Sequence, residues 1–579
     1  MRKILPIVFF AGVLAAFLTP MELGDVWWHL RTGQWIWENK GLPQADPFSI
    51  APAAAGQGVL ASFWLCQLML YGVYGLAGVY GLIALKALVF CLTFLLMESL
   101  LKGCGLKSPL RYILLLPSVF IATFYDEMRP QTLSFLFFAA VLYVLEKYWN
   151  AEGDAKAEKG IMALPGLMLL WSNMHAGFVS GAALIIYYAA TGPAWGRGVS
   201  RAAALKGLAI SAASVALSGL NPNGLRPVSL TFGMVAGSMK GAAPIHEHLP
   251  VREFAHFTGQ GSLHSAIIAL TAAGGAVFIA NFIIAAFWKP HRIEPGPRPS
   301  FWGSHLLLFA GLSYASFATF RAGLFFALVW TLAVGKTVSA WPLPEMKQSR
   351  ALGRLKGLSR ALALSALLIA IGFVLLPRTV MRTPAVDERL IPVKAANFIE
   401  AQMPPGNIYH PYEWGGYLMW RLYPQYRVFI DGRALARMDE YFDVLEARPA
   451  WDDILSRYEV NTVVYWPLLP YRKNVPALVF ALMRDEGWSP VYWDLQSIAF
   501  VRKRLAKNPI GKGAVWELLQ SLVTVNIMSS PRDPKNYIAL GEVYMERGLK
   551  YDARDAFKRA LELDPGSREA AFYLGTPER

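Results

Sequence analysis

Long apolar segments separated by short polar ones fill the first two thirds of the chain. A helix needs about 20 apolar residues to cross the hydrocarbon core of a bilayer. Segments that approach this length predict membrane spans at residues 4–20, 79–101, 110–125, 131–148, 161–174, 176–191, 204–220, 262–288, 302–318, 322–340 and 359–377. These make about 11 spans, and the two short segments between 161 and 191 can form one bent hairpin.

The basic residues between the spans predict the orientation, because Lys and Arg collect in cytoplasmic loops. We place the N-terminus in the cytoplasm and treat residues 63–74 as an interfacial helix. One face then holds Arg2, Lys3, Lys102, Lys107, Arg111, Lys147, Lys156, Lys159, Arg197, Arg201, Lys206, Lys289, Arg292, Arg298, Lys347, Arg350, Arg354, Lys356 and Arg360. The extracytoplasmic face receives Asp25, Asp126, Glu127, His175, Asn221, Asn223, His246, Glu247, His248, Arg321 and everything after Pro377.

Beyond residue 385 the long apolar runs give way to short alternating elements. Strand-like runs occupy residues 407–409, 427–430, 462–466, 491–493 and 497–501, and helical runs between them include 438–446, 452–458 and 475–486. Strands that alternate with helices predict a sheet with flanking helices. We therefore expect residues 385–505 to form a soluble, extracytoplasmic α/β domain.

Residues 534–567 match the helix–turn–helix pattern of a tetratricopeptide repeat. The positions in register are Tyr537, Leu540, Gly541, Tyr544, Ala553, Phe557, Ala560 and Pro565. One repeat cannot bury its own apolar face, so we expect it to pack on the preceding helix, 515–525, or on a partner protein. The predicted fold is a polytopic α-helical membrane domain (1–380), a soluble α/β domain (385–505) and a helical repeat region (510–579).

Composition supports a membrane protein. The chain of 579 residues is 55% hydrophobic and 16% charged, with a mean hydropathy of +0.35, whereas soluble domains are typically about 25% charged. Much of the basic charge behind the net charge of +15 lies in short loops between apolar runs, so no nucleic-acid partner is predicted. The three cysteines, Cys66, Cys91 and Cys104, lie in or beside the membrane part, which excludes a disulfide framework in the C-terminal region.

The loop that follows the first apolar segment holds the strongest candidate for chemistry. Asp25 lies just beyond the predicted membrane boundary and precedes a weakly amphipathic stretch, residues 27–38. An ionisable carboxylate at a membrane boundary is costly unless it has a function or a partner. We predict that Asp25 is a catalytic base at the membrane–water interface. The alternative is that Asp25 only caps the following helix, since Asp is a favoured N-cap.

These features together resemble the GT-C class of membrane glycosyltransferases, which use polyprenyl-phosphate-linked sugars. The class includes protein mannosyltransferases, aminoarabinose transferases of lipid A and oligosaccharyltransferases. The resemblance rests on Asp25 after the first span, the long first external loop, the acidic pair Asp126-Glu127 after the third span, and a stretch containing Gly41-Leu-Pro43 and Asp46-Pro-Phe48. It implies a GT-C fold, glycosyl transfer, and catalytic roles for Asp25 and for Asp126 or Glu127.

The resemblance also implies a lipid-phosphate-linked sugar as donor, and three basic residues are candidates for its phosphate. Arg321 lies between two apolar runs, and a guanidinium can bind a phosphate with two parallel hydrogen bonds. The alternative for Arg321 is snorkelling to the interface. His175 and His29 are the other candidates, with packing of the imidazole, or orientation of Asp25 by His29, as the alternatives. The segment Tyr412–Tyr417 weakly resembles an oligosaccharyltransferase acceptor motif, and no role is transferred to it.

No metal site is assigned, although a divalent cation such as Mg²⁺ or Mn²⁺ is an open alternative. Asp126 and Glu127 offer the hard oxygen ligands that such ions prefer, or they can pair with nearby Arg129. The segment His246-Glu247-His248 looks like a metal motif, but side chains two residues apart share a face only in an extended segment. No third ligand accompanies them in the sequence.

The leading interpretation is sugar transfer from a polyprenyl-phosphate donor to a glycan, lipid or protein acceptor at the outer face of the cytoplasmic membrane. It expects Asp25 and the Asp126-Glu127 pair to converge beside Arg321 in one pocket open to the bilayer. A lipid-linked glycan ligase or polymerase, relying on external Arg and His, is one alternative. A non-enzymatic membrane scaffold or transporter that recruits a protein through the repeat is the other, and the few mid-span charges disfavour transport.

Overall fold

The computed structural model describes residues 4–21, 24–50, 63–150, 155–195, 200–224, 249–258, 260–287, 299–341, 385–388, 390–433, 437–470 and 473–575. The chain divides into two compact units. The N-terminal unit comprises Met1–Met21, Thr32–Leu42 and Gly58–Val386, and the C-terminal unit comprises Glu22–Arg31, Pro43–Gln57 and Asp387–Arg579. Two segments of the first loop thus belong to the C-terminal unit. The division into three domains at 380 and 510 stays a prediction.

The described part of the chain up to residue 341 is helical. In chain order the helices are α1 (Ile4–Phe17), α2 (Val26–Asn39), α3 (Trp64–Gly103), α4 (Leu110–Ala122), α5 (Pro130–Trp149), α6 (Ala155–Gly160), α7 (Leu164–Met174), α8 (Phe178–Trp195), α9 (Arg201–Leu217), α10 (Val251–Thr258), α11 (Gly261–Phe287), α12 (Pro299–Ala318) and α13 (Gly323–Ser339). Single 3₁₀ turns, Thr123–Tyr125 and Phe320–Ala322, follow α4 and precede α13.

Among the described residues, four helices are long and apolar enough to cross a membrane: Trp64–Gly103, Pro130–Trp149, Gly261–Ile284 and Phe320–Ser339. Shorter apolar helices are Ile4–Phe17, Leu110–Tyr125, Phe178–Pro193 and Ser304–Ala318. The predicted span 359–377 and the segment His246–His248 lie outside the described residues. The total of about 11 spans therefore stays a prediction.

Helix α3 changes direction where the sequence separates an interfacial helix from a span. Gly78 has a φ of 57° and a ψ of −148°, and its neighbour Ala77 has a φ of −142°. A residue with a side chain rarely adopts the conformation of Gly78, so glycine makes the break possible. The break lies between the predicted segments 63–74 and 79–101.

A buried polar cluster joins four helices of the N-terminal unit. Glu146 of α5 accepts hydrogen bonds from Tyr188 of α8 and Lys336 of α13, and its Oε1 lies 2.8 Å from His305 Nε2 of α12. Lys336 Nζ lies 3.2 Å from the same imidazole nitrogen. Charged groups are tolerated inside an apolar bundle when they are paired and hydrogen-bonded. The cluster therefore specifies which faces of the four helices meet.

The C-terminal unit contains a four-stranded mixed sheet with helices around it. Its elements are α14 (Val393–Gln402), β1 (Asn407–Tyr409), α15 (Gly415–Leu422), α16 (Met438–Leu445), α17 (Trp451–Arg457), β2 (Val460–Tyr465), α18 (Ala477–Arg484), β3 (Trp488–Trp493) and β4 (Ile498–Arg502). The strand order is β1-β2-β4-β3; β1 and β2 are parallel, and the other two pairs are antiparallel.

The first loop adds backbone to this sheet. Val428, in the segment expected to be a strand at 427–430, forms single bridges with Ile408 and with Ser49. Its N–H donates to Phe48 O at 3.0 Å, and its carbonyl accepts from Ile50 N at 3.0 Å. Val428 therefore lies beside β1, and residues 48–50 lie on the other side of Val428, although they belong to the loop that follows the first apolar helix.

Four helices end the chain: α19 (Lys512–Ser529), α20 (Pro534–Glu546), α21 (Lys550–Leu563) and α22 (Arg568–Tyr573). A Cβ on Gly541 of α20 would lie 2.5 Å from the Phe557 ring of α21, so only glycine permits this close approach. Asn536 Nδ2 donates to Asn526 O of α19 at 3.2 Å, so the helix pair packs on the preceding helix. The assignment as a tetratricopeptide repeat stays a prediction.

Candidate active site

Asp25 lies at the N-terminus of α2 in the C-terminal unit. Its backbone carbonyl accepts the first helical hydrogen bond, from His29 N at 3.1 Å, so it occupies the N-cap position that the sequence offered as an alternative role. Its carboxylate has a side-chain partner as well, because Trp28 Nε1 donates to Asp25 Oδ1 at 2.9 Å. A capping position and a fixed carboxylate thus coexist at one residue.

Aromatic side chains pack against one another at the start of α2, next to this carboxylate in sequence. The His29 ring packs on the Trp28 ring with centroids 3.5 Å apart, and Trp27 meets Tyr417 of α15 edge to face at 5.0 Å. Only 2% of His29 is exposed. This burial leaves little imidazole surface for a phosphate, and the ring contact indicates that His29 supports the Trp28 ring. The phosphate contact of His29 stays a prediction, which this packing disfavours.

The segment that resembled an acceptor motif packs on the same helix start. Residues Tyr412–Trp414 form a 3₁₀ turn, and α15 follows directly. A Cβ on Gly416 would lie 3.5 Å from the Trp28 backbone nitrogen. Trp414 Nε1 donates to Leu390 O at 3.0 Å and its ring is buried. These contacts give the segment a packing role in the C-terminal unit.

The turn Asp431-Gly432-Arg433 lies directly against Asp25. A Cβ built on Gly432 would be 2.6 Å from Asp25 Oδ1 and 3.5 Å from Trp28 Nε1. The Arg433 guanidinium holds Asp431 with two hydrogen bonds, of 2.7 and 2.8 Å. No local pattern in the sequence indicates that this segment adjoins a loop some 400 residues earlier.

Arg433 also binds Asp46 of the first loop, at 3.0 Å from Nη1 to Oδ1. Burial raises the pKa of Asp46, but the Arg433 charge and hydrogen bonds from Ser49 and Phe48 N outweigh burial and hold it below its usual value. The pKa of Arg433 is raised because two carboxylates outweigh its burial. The guanidinium charge is balanced by these partners, so Arg433 is not a candidate for the donor phosphate.

In the N-terminal unit, Asp126 forms a buried ion pair. Lys86 Nζ lies 2.9 Å from Asp126 Oδ1, and Thr19 Oγ1 donates to Asp126 Oδ2 at 2.7 Å. Lys86 also donates to Thr19 Oγ1 at 2.5 Å and to the Asp126 carbonyl at 3.2 Å. Both carboxylate oxygens therefore have protein partners, which link the ends of α1 and α4 to the middle of α3.

Arg321 is brought close to this loop by two stacked rings. Tyr125, which precedes Asp126, stacks on Phe320 with centroids 4.5 Å apart, and its hydroxyl donates to the Phe320 carbonyl. A Cβ on Gly323 would lie 2.4 Å from the same hydroxyl, so glycine is needed where the two turns touch. Arg321 is thus the neighbour in sequence of Phe320, which Tyr125 holds beside Asp126.

His175 is neutral and lies in the field of two arginines. It follows the last residue of α7, and its Nδ1 accepts from Gly177 N at 3.0 Å and lies 2.7 Å from Ser134 Oγ. Burial, with the charges of Arg321 and Arg129, lowers the pKa of His175 to about 3. Because Nδ1 accepts a backbone N–H, the ring proton lies on Nε2, which is a hydrogen-bond donor.

Arg129 also lies near His175, although the sequence indicated it only as an ion-pair partner of Asp126 and Glu127. Its side chain is 11% exposed and lies 3.5 Å from the half-exposed carboxylate of Glu127. It stands directly before Pro130, the first residue of α5, and its own backbone is extended. The N-terminal unit thus brings Asp126, Glu127, Arg321 and His175 together with Arg129. The predicted convergence of Asp25 on them stays a prediction.

A divalent cation fits this arrangement poorly. The two oxygens of Asp126 are held by Lys86 and Thr19, and Glu127 is paired with Arg129. Within the part of the chain that the structure describes, no group of three His, Cys, Asp or Glu residues is suitably placed to hold a metal ion. We therefore assign no step of the chemistry to a metal.

Solved structures with a similar fold include membrane glycosyltransferases. The oligosaccharyltransferase AglB of Archaeoglobus fulgidus, in complex with an inhibitory peptide and a dolichol-phosphate, aligns with a TM-score of 0.51 and 12% identity over 87% of this chain and 74% of its own. A crystal structure of the Archaeoglobus fulgidus oligosaccharyltransferase with Zn and sulfate aligns with a TM-score of 0.53 and 11% identity over 95% and 85%.

The arabinofuranosyltransferase AftD from Mycobacteria aligns with a TM-score of 0.51 and 15% identity over 87% of this chain and 40% of its own, so this chain spans less than half of AftD. No protein-family model and no curated protein sequence matches the chain. The structural likeness confirms the GT-C fold that the sequence motifs predicted. Together with the apolar helices it indicates a membrane protein.

Proposed function

We propose that the chain is a membrane glycosyltransferase that moves a sugar from a polyprenyl-phosphate-linked donor to an acceptor hydroxyl or amide. The observation that carries this proposal is the fold shared with three solved glycosyltransferase structures over most of the chain. It is supported by the first-loop carboxylate, Asp25, which is fixed by the Trp28 indole. In the proposed arrangement, transfer takes place at the outer face of the cytoplasmic membrane.

In the proposed reaction Asp25 is the general base. Its carboxylate removes the proton from the acceptor as the acceptor attacks the anomeric carbon, and the bond from that carbon to the lipid phosphate breaks. A single displacement of this kind inverts the anomeric centre. A positioned base typically contributes a factor of about 10²–10⁴ to the rate.

The departing lipid phosphate gathers negative charge, which basic groups must stabilise. Arg321 is the proposed phosphate ligand, and Arg129 and the Nε2–H of neutral His175 complete a donor set in the same unit. The effect of Arg321 and Arg129 on the His175 imidazole indicates that their charges act on one region. A dolichol-phosphate in one of the similar structures supports a polyprenyl phosphate as the leaving group.

Asp126 and Glu127 have different proposed roles. The ion pair between Lys86 and Asp126 suits a carboxylate that fixes the outer ends of α1 and α4 rather than one that accepts a proton. Glu127 is half-exposed and beside Arg129, so it can orient that guanidinium or approach an acceptor. Glu127 is therefore the candidate for acceptor positioning, and the repeat region remains a candidate for binding a protein partner.

The test is transfer by the purified full-length chain in lipid nanodiscs. Radiolabelled lipid-linked sugars are extracted from cells that lack the chain, and membranes of the same cells supply the acceptor. We expect the wild-type chain to move label from the lipid to the acceptor fraction, and Asp25→Asn to leave it on the lipid. If the wild-type chain moves no label from any lipid-linked sugar, glycosyl transfer is excluded.

A further inference from the structure

We propose that Trp28 and Gly432 are positioning residues that set the orientation of the Asp25 carboxylate, so that the Asp431-Gly432-Arg433 turn is part of the catalytic apparatus. This inference rests on the proposed role of Asp25 as base. It gives a positioning role to a segment that follows Val428 and Ile430 in the C-terminal unit.

Trp28 holds the Asp25 carboxylate from one side. Its indole N–H donates to Asp25 Oδ1 at 2.9 Å, which restricts rotation of the carboxylate about its last bond. The indole itself is held firmly, because only 4% of Trp28 is exposed and its ring packs on His29. The Arg433 guanidinium lies 6.0 Å from the centre of the indole ring. A donor on so fixed a ring can fix the carboxylate in turn.

The Asp25 carboxylate leaves no room for a side chain at Gly432. A methyl group there would lie 2.6 Å from Asp25 Oδ1, well inside the contact distance of carbon and oxygen. Gly432 therefore closes one side of the carboxylate by its backbone while leaving room for the oxygen. Alanine at this position requires either the carboxylate or the turn to move.

In Gly432→Ala the Asp25 carboxylate moves rather than the turn, because the turn is the more firmly held of the two. Asp431 is fully buried, and the Arg433 side chain joins it to Asp46 across the loop. The Arg433 backbone N–H also donates to Asp431 Oδ1, at 3.0 Å. The turn is thus fixed on both sides of Gly432, whereas the Asp25 side chain has two rotatable bonds.

The expected consequence is a loss of turnover with little loss of donor binding. Misplacing a catalytic group by about 1 Å can cost about 100-fold in rate. We expect Gly432→Ala to lower kcat by about 10- to 100-fold, with the KM for the lipid-linked sugar within twofold of wild type. We expect Trp28→Phe, which keeps an aromatic ring but removes the N–H, to lower kcat and shift the acid limb of the pH profile to higher pH. Loss of a donor disfavours the ionised form of a carboxylate.

A matched control exists in the same unit. A Cβ on Gly487 would lie 2.8 Å from Asp485 Oδ1, so Gly487→Ala forces the same kind of clash between a methyl group and a carboxylate. That carboxylate belongs to an exposed loop, in which Asp485 accepts from Gly487 N. If a general strain on the C-terminal unit caused the loss, Gly487→Ala would reproduce it.

The experiment measures kcat, KM and pH profiles of wild type, Gly432→Ala, Trp28→Phe, Gly487→Ala and Asp25→Asn with the extracted radiolabelled lipid-linked sugars. A fall in kcat for Gly432→Ala and Trp28→Phe alone, with an acid-limb shift for Trp28→Phe, supports the proposal. If Gly432→Ala and Trp28→Phe have the same kcat as Gly487→Ala while Asp25→Asn is inactive, the positioning role is overturned and the proposed function stands. An active Asp25→Asn overturns both positioning and Asp25 as the base, whereas only a wild-type chain that moves no label overturns glycosyl transfer. If Gly432→Ala does not fold, Trp28→Phe decides alone.

Discussion

The guanidinium of Arg433 binds the carboxylate of Asp46 at 3.0 Å, across 387 positions of the chain. The same guanidinium binds Asp431 with two hydrogen bonds, and its side chain is only 4% exposed. This triad attaches the first loop to the C-terminal unit beside Asp25. The loop that contains the proposed base is therefore held in place by a residue much later in the chain.

Arg433→Met should destabilise the C-terminal unit strongly, because it leaves two buried carboxylates without their cation. Breaking a buried ion pair in this way costs about 3–5 kcal/mol, which lowers the midpoint of thermal unfolding by roughly 10 °C for a unit of this size. Arg448→Met is the matched control, since Arg448 pairs with Asp443 and Glu446 on the surface. Equal midpoints for the two variants would show that the triad does not hold the loop.

The pH dependence of stability should reveal the buried histidine His410. Burial lowers its pKa to about 4, although the Pro411 carbonyl and Asp431 act in the opposite direction. Between pH 6.5 and 4 the unfolded chain therefore binds more protons than the folded one, so stability is full above pH 6.5 and falls as pH drops towards 4. Thermal unfolding from pH 7 to pH 4 should show a smaller decline for His410→Asn, and parallel curves would contradict this assignment.

The Glu146 cluster should behave as one stabilising unit of the helical bundle. Glu146→Ala leaves Lys336 and His305 buried without their acceptor, which should cost about 3–5 kcal/mol. The double variant Glu146→Gln, Lys336→Met removes both charges together and should regain most of that loss. Thermal unfolding in one detergent compares the variants, and equal destabilisation by the single and double changes would show that pairing is unimportant.

Arg321→Lys should weaken recognition of the lipid phosphate even though it keeps the positive charge. A lysine cannot form the two parallel hydrogen bonds of a guanidinium, and a hydrogen bond to a charged group is worth about 1.5–3 kcal/mol. We expect undecaprenyl phosphate to inhibit transfer about 10- to 100-fold less well. Arg252→Lys, at an exposed residue of α10, is the control. An unchanged inhibition constant for Arg321→Lys would assign Arg321 to anchoring at the interface.

Much of the fold followed from local patterns in the sequence. Apolar runs located most of the helices in the N-terminal unit, and the break at Gly78 falls between two predicted segments. The alternating runs after residue 385 coincide with β1 to β4 within a few residues. These patterns suffice because the period of apolar positions reflects the side of a helix or strand that is buried.

The contacts that build the site were not predictable in the same way. Lys86 meets Asp126 across 40 positions, and Arg433 meets Asp46 across 387. Such pairs are formed by tertiary packing and leave no periodic signal. The sequence indicated Asp25 and Arg321 as candidate site residues, because they lie beside apolar runs. It did not indicate that Lys86 pairs with Asp126 or that Gly432 lies beside Asp25.

The role of Asp25 as catalytic base is best tested by mass spectrometry of surface glycans from cells whose chromosomal copy encodes Asp25→Asn. Cells with wild-type protein and cells with Asp485→Asn, a change at a partly exposed loop carboxylate, are compared with these cells at equal amounts of membrane-inserted protein. We expect one sugar to be missing from the glycans, or from a modified lipid or protein, in Asp25→Asn cells only. Glycans identical in all three strains, with the sugar absent when the gene is deleted, would contradict Asp25 as the base.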